Sequence, residues 1–82
     1  IFMKFALYYT ETCPYCVRVL MALNSIKVEV EKRSLRADPK WRQELSQATG
    51  RTTVPCLKIT DKNGKEQWMF ESADIIRYLQ KA

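Results

Sequence analysis

The fold is decided by residues 4–23, which read KFALYYTETCPYCVRVLMAL. The segment opens with a short apolar run, Lys4–Tyr9, whose length is typical of a buried strand. A polar break follows, and apolar residues then recur at near-helical spacing. Pro14 stands where the first helical residue would be, a position that suits proline because its missing N–H would be unpaired anyway. The segment therefore predicts a strand and then a helix running to about Asn24, with Cys13 at or beside the N-cap.

The rest of the chain continues this alternation. Strands are predicted over residues 26–32, 53–60 and 66–70. Helices are predicted over residues 38–50 and from Ser72 onward, with Ser72 as the N-cap of the last helix. The order is then β-α-β-α-β-β-α. Its first β-α-β unit predicts parallel pairing by a right-handed crossover, and the later hairpin makes the sheet mixed. We expect an α/β fold with four strands and helices on both faces.

The chain has 82 residues and a mass of 9.7 kDa, so we expect one domain over residues 1–82. Ile1 and Phe2 precede Met3, which we take as the natural start. No basic segment followed by a long apolar stretch opens the chain, so no secretory signal is expected. No apolar run approaches the ~20 residues that a membrane-spanning helix needs.

The net charge is +5, from 14 Lys and Arg residues against 9 Asp and Glu residues. The basic residues are dispersed along the sequence, whereas a nucleic-acid-binding domain more often gathers them on one face. We therefore expect no nucleic-acid partner. A mildly positive surface also suits a small anionic substrate, which it attracts by electrostatic steering.

Two cysteines, Cys13 and Cys16, carry the chemistry that the sequence predicts. The loop that they would close is too short for their disulfide to stabilise a fold usefully. The N-terminus of a helix carries partial positive charge and unpaired N–H donors, which favour the thiolate of a cysteine placed there. We expect Cys13 to be exposed and to attack disulfides, and Cys16 to be more buried and to resolve the mixed disulfide.

A metal site is the alternative use of these thiols. Zinc and iron–sulfur sites usually take four ligands, and this chain offers three cysteines and no histidine. We expect no closed metal site within one chain, while a cluster shared between two chains stays open. The third cysteine, Cys56, is either a packed core thiol, which we favour, or a further redox participant.

A second motif is the segment Val54–Pro55 ahead of the predicted third strand. A β-branched residue before proline is pushed toward extended geometry. If this peptide bond is cis, the backbone groups of Val54 are left out of the sheet and are free to pair with an extended, peptide-like substrate.

The C-P-Y-C motif after a strand, combined with the later T-V-P motif, closely resembles the glutaredoxin family of the thioredoxin fold. The likeness spans nearly the whole chain. It implies a thioredoxin-like domain that acts as a glutathione-dependent thiol–disulfide oxidoreductase on protein–glutathione mixed disulfides and small disulfides. It further implies a cytoplasmic monomer without a tightly bound cofactor. Glutathione is the implied co-substrate, and glutathionylated or disulfide-bonded proteins are the implied partners.

The resemblance also implies roles for single residues. Cys13 matches the nucleophile and Cys16 the resolving thiol. The implied glutathione contacts are an aromatic residue beside the dithiol, the segment around the proline, and, more loosely, a basic residue of the second helix. These are Tyr15, Thr53, Val54, Pro55 and Arg42.

The chain departs from the family pattern at three places, and one of them is Cys56, which directly follows the proline of the T-V-P motif where the family usually has a different residue. Glutaredoxins usually carry a lysine three residues before the nucleophile, where this chain has Thr10. Before the last helix, Glu71 and Ser72 resemble instead the N-terminal domain of glutathione S-transferases. There, an acidic residue and a serine at a helix N-terminus hold the γ-glutamyl group, whose carboxylate suits the helix N–H groups. Plain helix capping explains Ser72 equally well.

Two further functions therefore stay open beside the oxidoreductase. One is a glutathione-binding, thioredoxin-like module of a transferase-type protein, which Glu71 and Ser72 suggest. The other is a carrier of an iron–sulfur cluster bridged between two chains with glutathione. Pro14 disfavours the carrier, because related cluster-binding proteins tend to lack a proline there.

Overall fold

The computed structural model describes residues 3–82, so the expectation for Ile1 and Phe2 lies outside the described residues. Four strands and three helices follow one another in the predicted order. The strands are β1 (Lys4–Tyr9), β2 (Val30–Ser34), β3 (Cys56–Thr60) and β4 (Glu66–Phe70). The helices are α1 (Pro14–Leu23), α2 (Pro39–Thr49) and α3 (Ser72–Lys81). No helix in the described part of the chain is long and apolar enough to cross a membrane.

The four strands form one sheet in the order β2-β1-β3-β4. β1 and β2 run parallel, while the β1–β3 and β3–β4 pairs are antiparallel. The predicted mixed sheet is therefore confirmed. β1 and β3 are the two central strands, and their ladder ends with Tyr8 opposite Cys56, close to the point where the chain leaves β1 for Cys13.

Alternate residues of the central strands enter two separate cores, because successive side chains of a strand point to opposite faces. The core on one face contains residues of α1 and α3, and the core on the other contains α2, so helices cover both faces as predicted. The buried residues of the first core are Phe5, Leu7, Val19, Leu57, Ile59, Ile75 and Leu79. Those of the second are Ala6, Tyr8, Leu35, Leu45 and Cys56. Burying each large side chain contributes roughly 1.5–3 kcal/mol.

The predicted bounds of the second strand, residues 26–32, are wrong. β2 begins only at Val30 and continues to Ser34. The parallel ladder between β1 and β2 begins with Val30 opposite Phe5. Ile26 and Val28 still pack against the first core. Their alternation with charged residues therefore resembles the pattern of a strand, although both lie before the start of β2.

Two other element starts also differ from prediction. β3 begins at Cys56 rather than at residue 53, since Pro55 has no N–H to give to a ladder. Ser72 is the first residue of α3 and not its N-cap, which is Glu71. The carbonyl of Glu71 accepts the first helical hydrogen bond, from the N–H of Ile75 at 3.0 Å.

The helix α2 is held to its face of the sheet by a polar cluster around Arg33. One guanidinium nitrogen of Arg33 donates to the Tyr8 hydroxyl and to Glu44 Oε1, each at 2.7 Å. The Tyr8 hydroxyl itself donates to Glu44. The guanidinium also lies over the Trp41 ring, 4.5 Å from its centroid. Burial, reinforced by the hydrogen bond to Glu44, raises the pKa of Tyr8 well above its usual range.

Candidate active site

Cys13 is the N-cap of α1, as the sequence predicts. Its backbone is extended, with φ −87° and ψ 119°, and Pro14 is the first helical residue. The carbonyl of Cys13 accepts the first helical hydrogen bond, from the N–H of Val17 at 3.0 Å. The side chain is only partly buried. This arrangement places the Sγ atom of Cys13 at the positive end of the helix and within reach of solvent.

The environment of Cys13 lowers the pKa of its thiol. Burial acts to raise that pKa, but it is outweighed by hydrogen bonds that stabilise the thiolate. These bonds come from the backbone and the thiol of Cys16 and from the backbone of Tyr15. The thiolate of Cys13 is therefore populated at lower pH than that of an ordinary cysteine.

Cys16 lies one turn further along α1 and is fully buried. Burial raises the pKa of its thiol to about 12; a backbone hydrogen bond from Thr10 opposes this, and the neighbouring Cys13 adds to it. The two sulfurs are thus differentiated as expected, because one is accessible with a lowered pKa and the other is enclosed with a raised pKa.

The second motif lies directly against the dithiol. The Val54–Pro55 peptide bond is cis. The Sγ atom of Cys13 lies 4.0 Å from the carbonyl oxygen of Val54, to which the thiol donates. Within residues 3–82, the N–H of Val54 makes no hydrogen bond. Backbone groups beside the reactive sulfur are therefore available to an extended ligand.

A cleft of about 430 Å³ opens between the start of α1, this loop and the start of α3. Its lining brings together six of the predicted glutathione contacts and adds two further residues. The lining residues are Tyr15, Arg18, Thr53, Val54, Pro55, Glu71, Ser72 and Ala73. Clefts of similar volume occur elsewhere, for example beside β2 and beside the end of α3. The position next to Cys13, and not the size, makes this cleft the candidate site.

The wall contributed by α3 has an unusual backbone. Glu71 has φ 77° and ψ 115°, a conformation that costs energy for any residue with a side chain. The Glu71 side chain does not cap the helix, and within residues 3–82 no hydrogen bond is made by the N–H groups of Ser72 and Ala73, which line the cleft. Ser72, which is only 7% exposed, lines the cleft at this wall.

Sequence comparison agrees with this geometry. A family model described as glutaredoxin matches residues 1–63. The chain belongs to the glutaredoxin family. It is 39% identical over 53 residues to glutaredoxin 3 of Escherichia coli K12, an alignment that covers 65% of this chain and 64% of the relative. A glutaredoxin of Pseudomonas aeruginosa is 37% identical over 53 residues, with 63% of its length covered. The aligned part of this glutaredoxin thus spans less than two thirds of these curated relatives.

Solved structures show the same fold and confirm the transferase-like features. Leishmania TDR1, a trimeric glutathione transferase, matches with a TM-score of 0.74 and 29% identity over 95% of this glutaredoxin and 17% of the transferase. Glutathione S-transferase E7 of Drosophila melanogaster matches with a TM-score of 0.69 and 28% identity, covering 95% and 34% of the two chains. The glutaredoxin of Brucella melitensis, at 22% identity, has a TM-score of 0.57 and matches over 95% and 78%.

Two arginines of this glutaredoxin differ from expectation. Arg42 is exposed on α2, which packs on the opposite face of the sheet, and the lining of the cleft described above does not include it. Arg18, which the sequence reading missed, does line the cleft, with its guanidinium over the Tyr15 ring at 5.8 Å from the centroid. The signal was present, because residues three apart on a helix share a face.

The remaining cysteine of this glutaredoxin is fully buried in the second core. Burial raises the pKa of the Cys56 thiol to about 12, opposed by a backbone hydrogen bond from Met69 and by the charge of Arg51. This is the environment of a packed core thiol. Among residues 3–82, no three His, Cys, Asp or Glu side chains group closely enough to hold a metal ion.

Proposed function

We propose that this glutaredoxin is a thiol–disulfide oxidoreductase that reduces protein–glutathione mixed disulfides and small disulfides with glutathione as co-substrate. The observation that carries the proposal is the accessible sulfur of Cys13 at a helix N-terminus, with a lowered pKa, beside the free backbone of Val54. The thiolate is the form that attacks disulfides, and a lowered pKa increases the fraction of Cys13 that is present as thiolate. The adjacent cleft supplies space for the glutathionyl group.

The reaction follows from this placement. The Cys13 thiolate attacks the glutathione sulfur of the mixed disulfide, the protein sulfur leaves as a thiolate, and a disulfide forms between Cys13 and glutathione. A second glutathione thiolate then attacks that glutathione sulfur. Its attack yields glutathione disulfide and restores the Cys13 thiolate, so one free glutathione is consumed for each mixed disulfide reduced, and the other half of the glutathione disulfide comes from the substrate.

Cys16 provides a second route. Once its proton is removed, its sulfur can attack the Sγ atom of Cys13 and release glutathione, leaving a Cys13–Cys16 disulfide that two glutathione molecules reduce. Burial and the raised pKa of Cys16 slow this step relative to attack by Cys13. Cys16 therefore resolves an intermediate and does not begin the reaction.

The proposal assigns glutathione contacts to the cleft residues. Val54 pairs through its backbone with the cysteinyl unit, Tyr15 and Pro55 flank it, and Glu71 with Ser72 holds the γ-glutamyl end. Thr53 lines the same cleft. We further propose that the chain acts as one domain, as a monomer without a tightly bound cofactor. A reducing compartment such as the cytoplasm keeps such a dithiol active.

Cysteine variants test the proposed function. The assay is glutathione-dependent reduction of the mixed disulfide between glutathione and 2-mercaptoethanol. We expect Cys13→Ser to show only the uncatalysed rate and Cys16→Ser to keep substantial turnover. Cys56→Ala is the matched control for loss of a cysteine outside the cleft. Comparable turnover by Cys13→Ser would reject the assignment.

A second candidate is the glutathione-binding module of a transferase-type protein. It is favoured by Glu71 and Ser72 at the start of α3 and by the likeness to the two transferase structures. Such a module would promote attack of the glutathione thiolate on a halogenated nitroarene, forming a thioether and releasing halide and the thiol proton. Conjugation by wild type that persists in Cys13→Ser would support this candidate, and conjugation at the uncatalysed rate would reject it.

A further inference from the structure

The cleft beside Cys13 contains two charged side chains of opposite sign that the protein does not neutralise. Arg18 and Glu71 both line it, and neither side chain makes an ion pair within residues 3–82. One turn from Glu71, by contrast, Asp74 is paired with Arg77 on the surface of α3. A cleft with one free cation and one free anion on its walls is suited to a ligand that carries both charges.

Arg18 is held at this position by its own helix. It lies three residues after Tyr15 and on the same face, with its guanidinium over the aromatic ring. The packing of α1 against α3 brings that face to the wall formed by Glu71, Ser72 and Ala73. Arg18 and the first residues of α3 therefore line the same cleft.

The charges of glutathione are distributed unevenly along the molecule. Its glycyl end carries a carboxylate alone, whereas its γ-glutamyl end carries an ammonium and a carboxylate on one carbon. A carboxylate accepts hydrogen bonds from a guanidinium and from helix N–H groups together, while an ammonium needs an acceptor such as Glu71. Ser72, only 7% exposed, lines the same cleft beside Glu71.

We propose that Arg18 pairs with the α-carboxylate of the γ-glutamyl group and thereby determines the specificity of the cleft for γ-glutamyl thiols. This inference rests on the proposed function, since it names a residue that selects the glutathionyl half of the substrate. Arg18 acts on binding and not on the reacting sulfur, so its removal changes KM more than kcat.

Three small mixed disulfides of 2-mercaptoethanol test the inference. The first contains glutathione, the second its glycyl ethyl ester, and the third an analogue whose γ-aminobutyryl group lacks only the α-carboxylate. We expect Arg18→Gln to lower kcat/KM about tenfold for the first two, mainly through KM, and less than about twofold for the third. Arg18→Lys keeps the charge but not the paired donors, and we expect it to restore part of the loss. Arg36→Gln, at an exposed turn position, is the matched control and should leave all three values unchanged.

Each other pattern overturns the inference. An equal loss on all three substrates shows that Arg18 does not read this carboxylate. A loss that disappears with the glycyl ester assigns Arg18 to the other end of glutathione. Unchanged kcat/KM values for Arg18→Gln on all three substrates show that the Arg18 side chain makes no contact that contributes to substrate binding.

A binding measurement separates this inference from the proposed function. S-methylglutathione carries both carboxylates but cannot exchange disulfides, and its affinity is measured by calorimetry. We expect Arg18→Gln to bind it about tenfold more weakly than wild type, whether or not the protein turns over mixed disulfides. If wild type is inactive and this difference is still found, the proposed function fails and the inference holds. Equal affinities overturn the inference even when wild type is active.

Discussion

The Sγ atom of Cys13 lies 4.0 Å from the carbonyl oxygen of Val54. Cys13 comes after β1 and Val54 comes before β3, and these are the two central strands of the sheet. Their ladder holds Tyr8 opposite Cys56 at the same end. The pairing of β1 with β3 therefore sets the distance between the Sγ atom of Cys13 and the carbonyl oxygen of Val54. Any group bound covalently to Cys13 passes alongside the main chain of Val54.

The lowered pKa of Cys13 predicts a characteristic pH dependence of alkylation by iodoacetamide. Below its pKa the sulfur takes up a proton and the rate falls, so the midpoint of the rate should lie below the ordinary value of 9.0. Cys16→Ala removes a hydrogen-bond donor to the thiolate and should move that midpoint upward. Cys56→Ala is the control and should leave it in place. Mass spectrometry that finds Cys16 labelled first, or a midpoint at or above 9.0, contradicts the prediction.

The cluster around Arg33 predicts a large loss of stability without loss of activity. Arg33→Ala removes the charged donor to both Tyr8 and Glu44, and the loss of these two hydrogen bonds costs roughly 2 kcal/mol in the free energy of unfolding, although Tyr8 still donates to the partly exposed Glu44. Urea unfolding measures this cost. Arg36→Ala, an exposed arginine close by in sequence, should change stability by less than about 0.5 kcal/mol. A comparably small effect of Arg33→Ala would show that the cluster contributes little.

The backbone of Glu71 predicts opposite effects on stability and on binding. Glycine adopts φ 77° without the steric penalty that Glu71 incurs, so Glu71→Gly should raise the free energy of unfolding by about 1 kcal/mol. The same change removes a carboxylate from the cleft and should raise KM for glutathione. Glu71→Gln keeps the strain but not the charge, so it should raise KM and leave stability unchanged. Thermal unfolding that finds Glu71→Gly less stable than Glu71→Gln refutes the assignment of strain.

The parts of the site that depend on neighbouring residues could be predicted from the sequence. Pro14 fixes where α1 begins, and this local signal makes Cys13 the N-cap without reference to distant residues. The order of elements followed from local patterns in the same way. Arg18 could also have been predicted, because its spacing from Tyr15 places both on one face of α1.

The features that were missed depend on contacts between distant segments. The start of β2 is set by the register that pairs Val30 with Phe5, and no pattern within residues 26–32 contains that register. The positive φ of Glu71 has no signal in its residue type, since glycine is what such a backbone favours. The exclusion of Arg42 from the cleft follows from the face of the sheet on which α2 packs.

Of the three sulfurs that cysteine contributes to this chain, two are completely enclosed by packing, at Cys16 and at Cys56. An oxidant or a foreign disulfide in solution can therefore meet only the third. Solvent access and the lowered pKa of Cys13 therefore act together to set the order in which the sulfurs react. Because Cys13 has the one cysteine sulfur within residues 3–82 that solvent reaches, we expect a molecule of this protein to form a disulfide with one partner at a time.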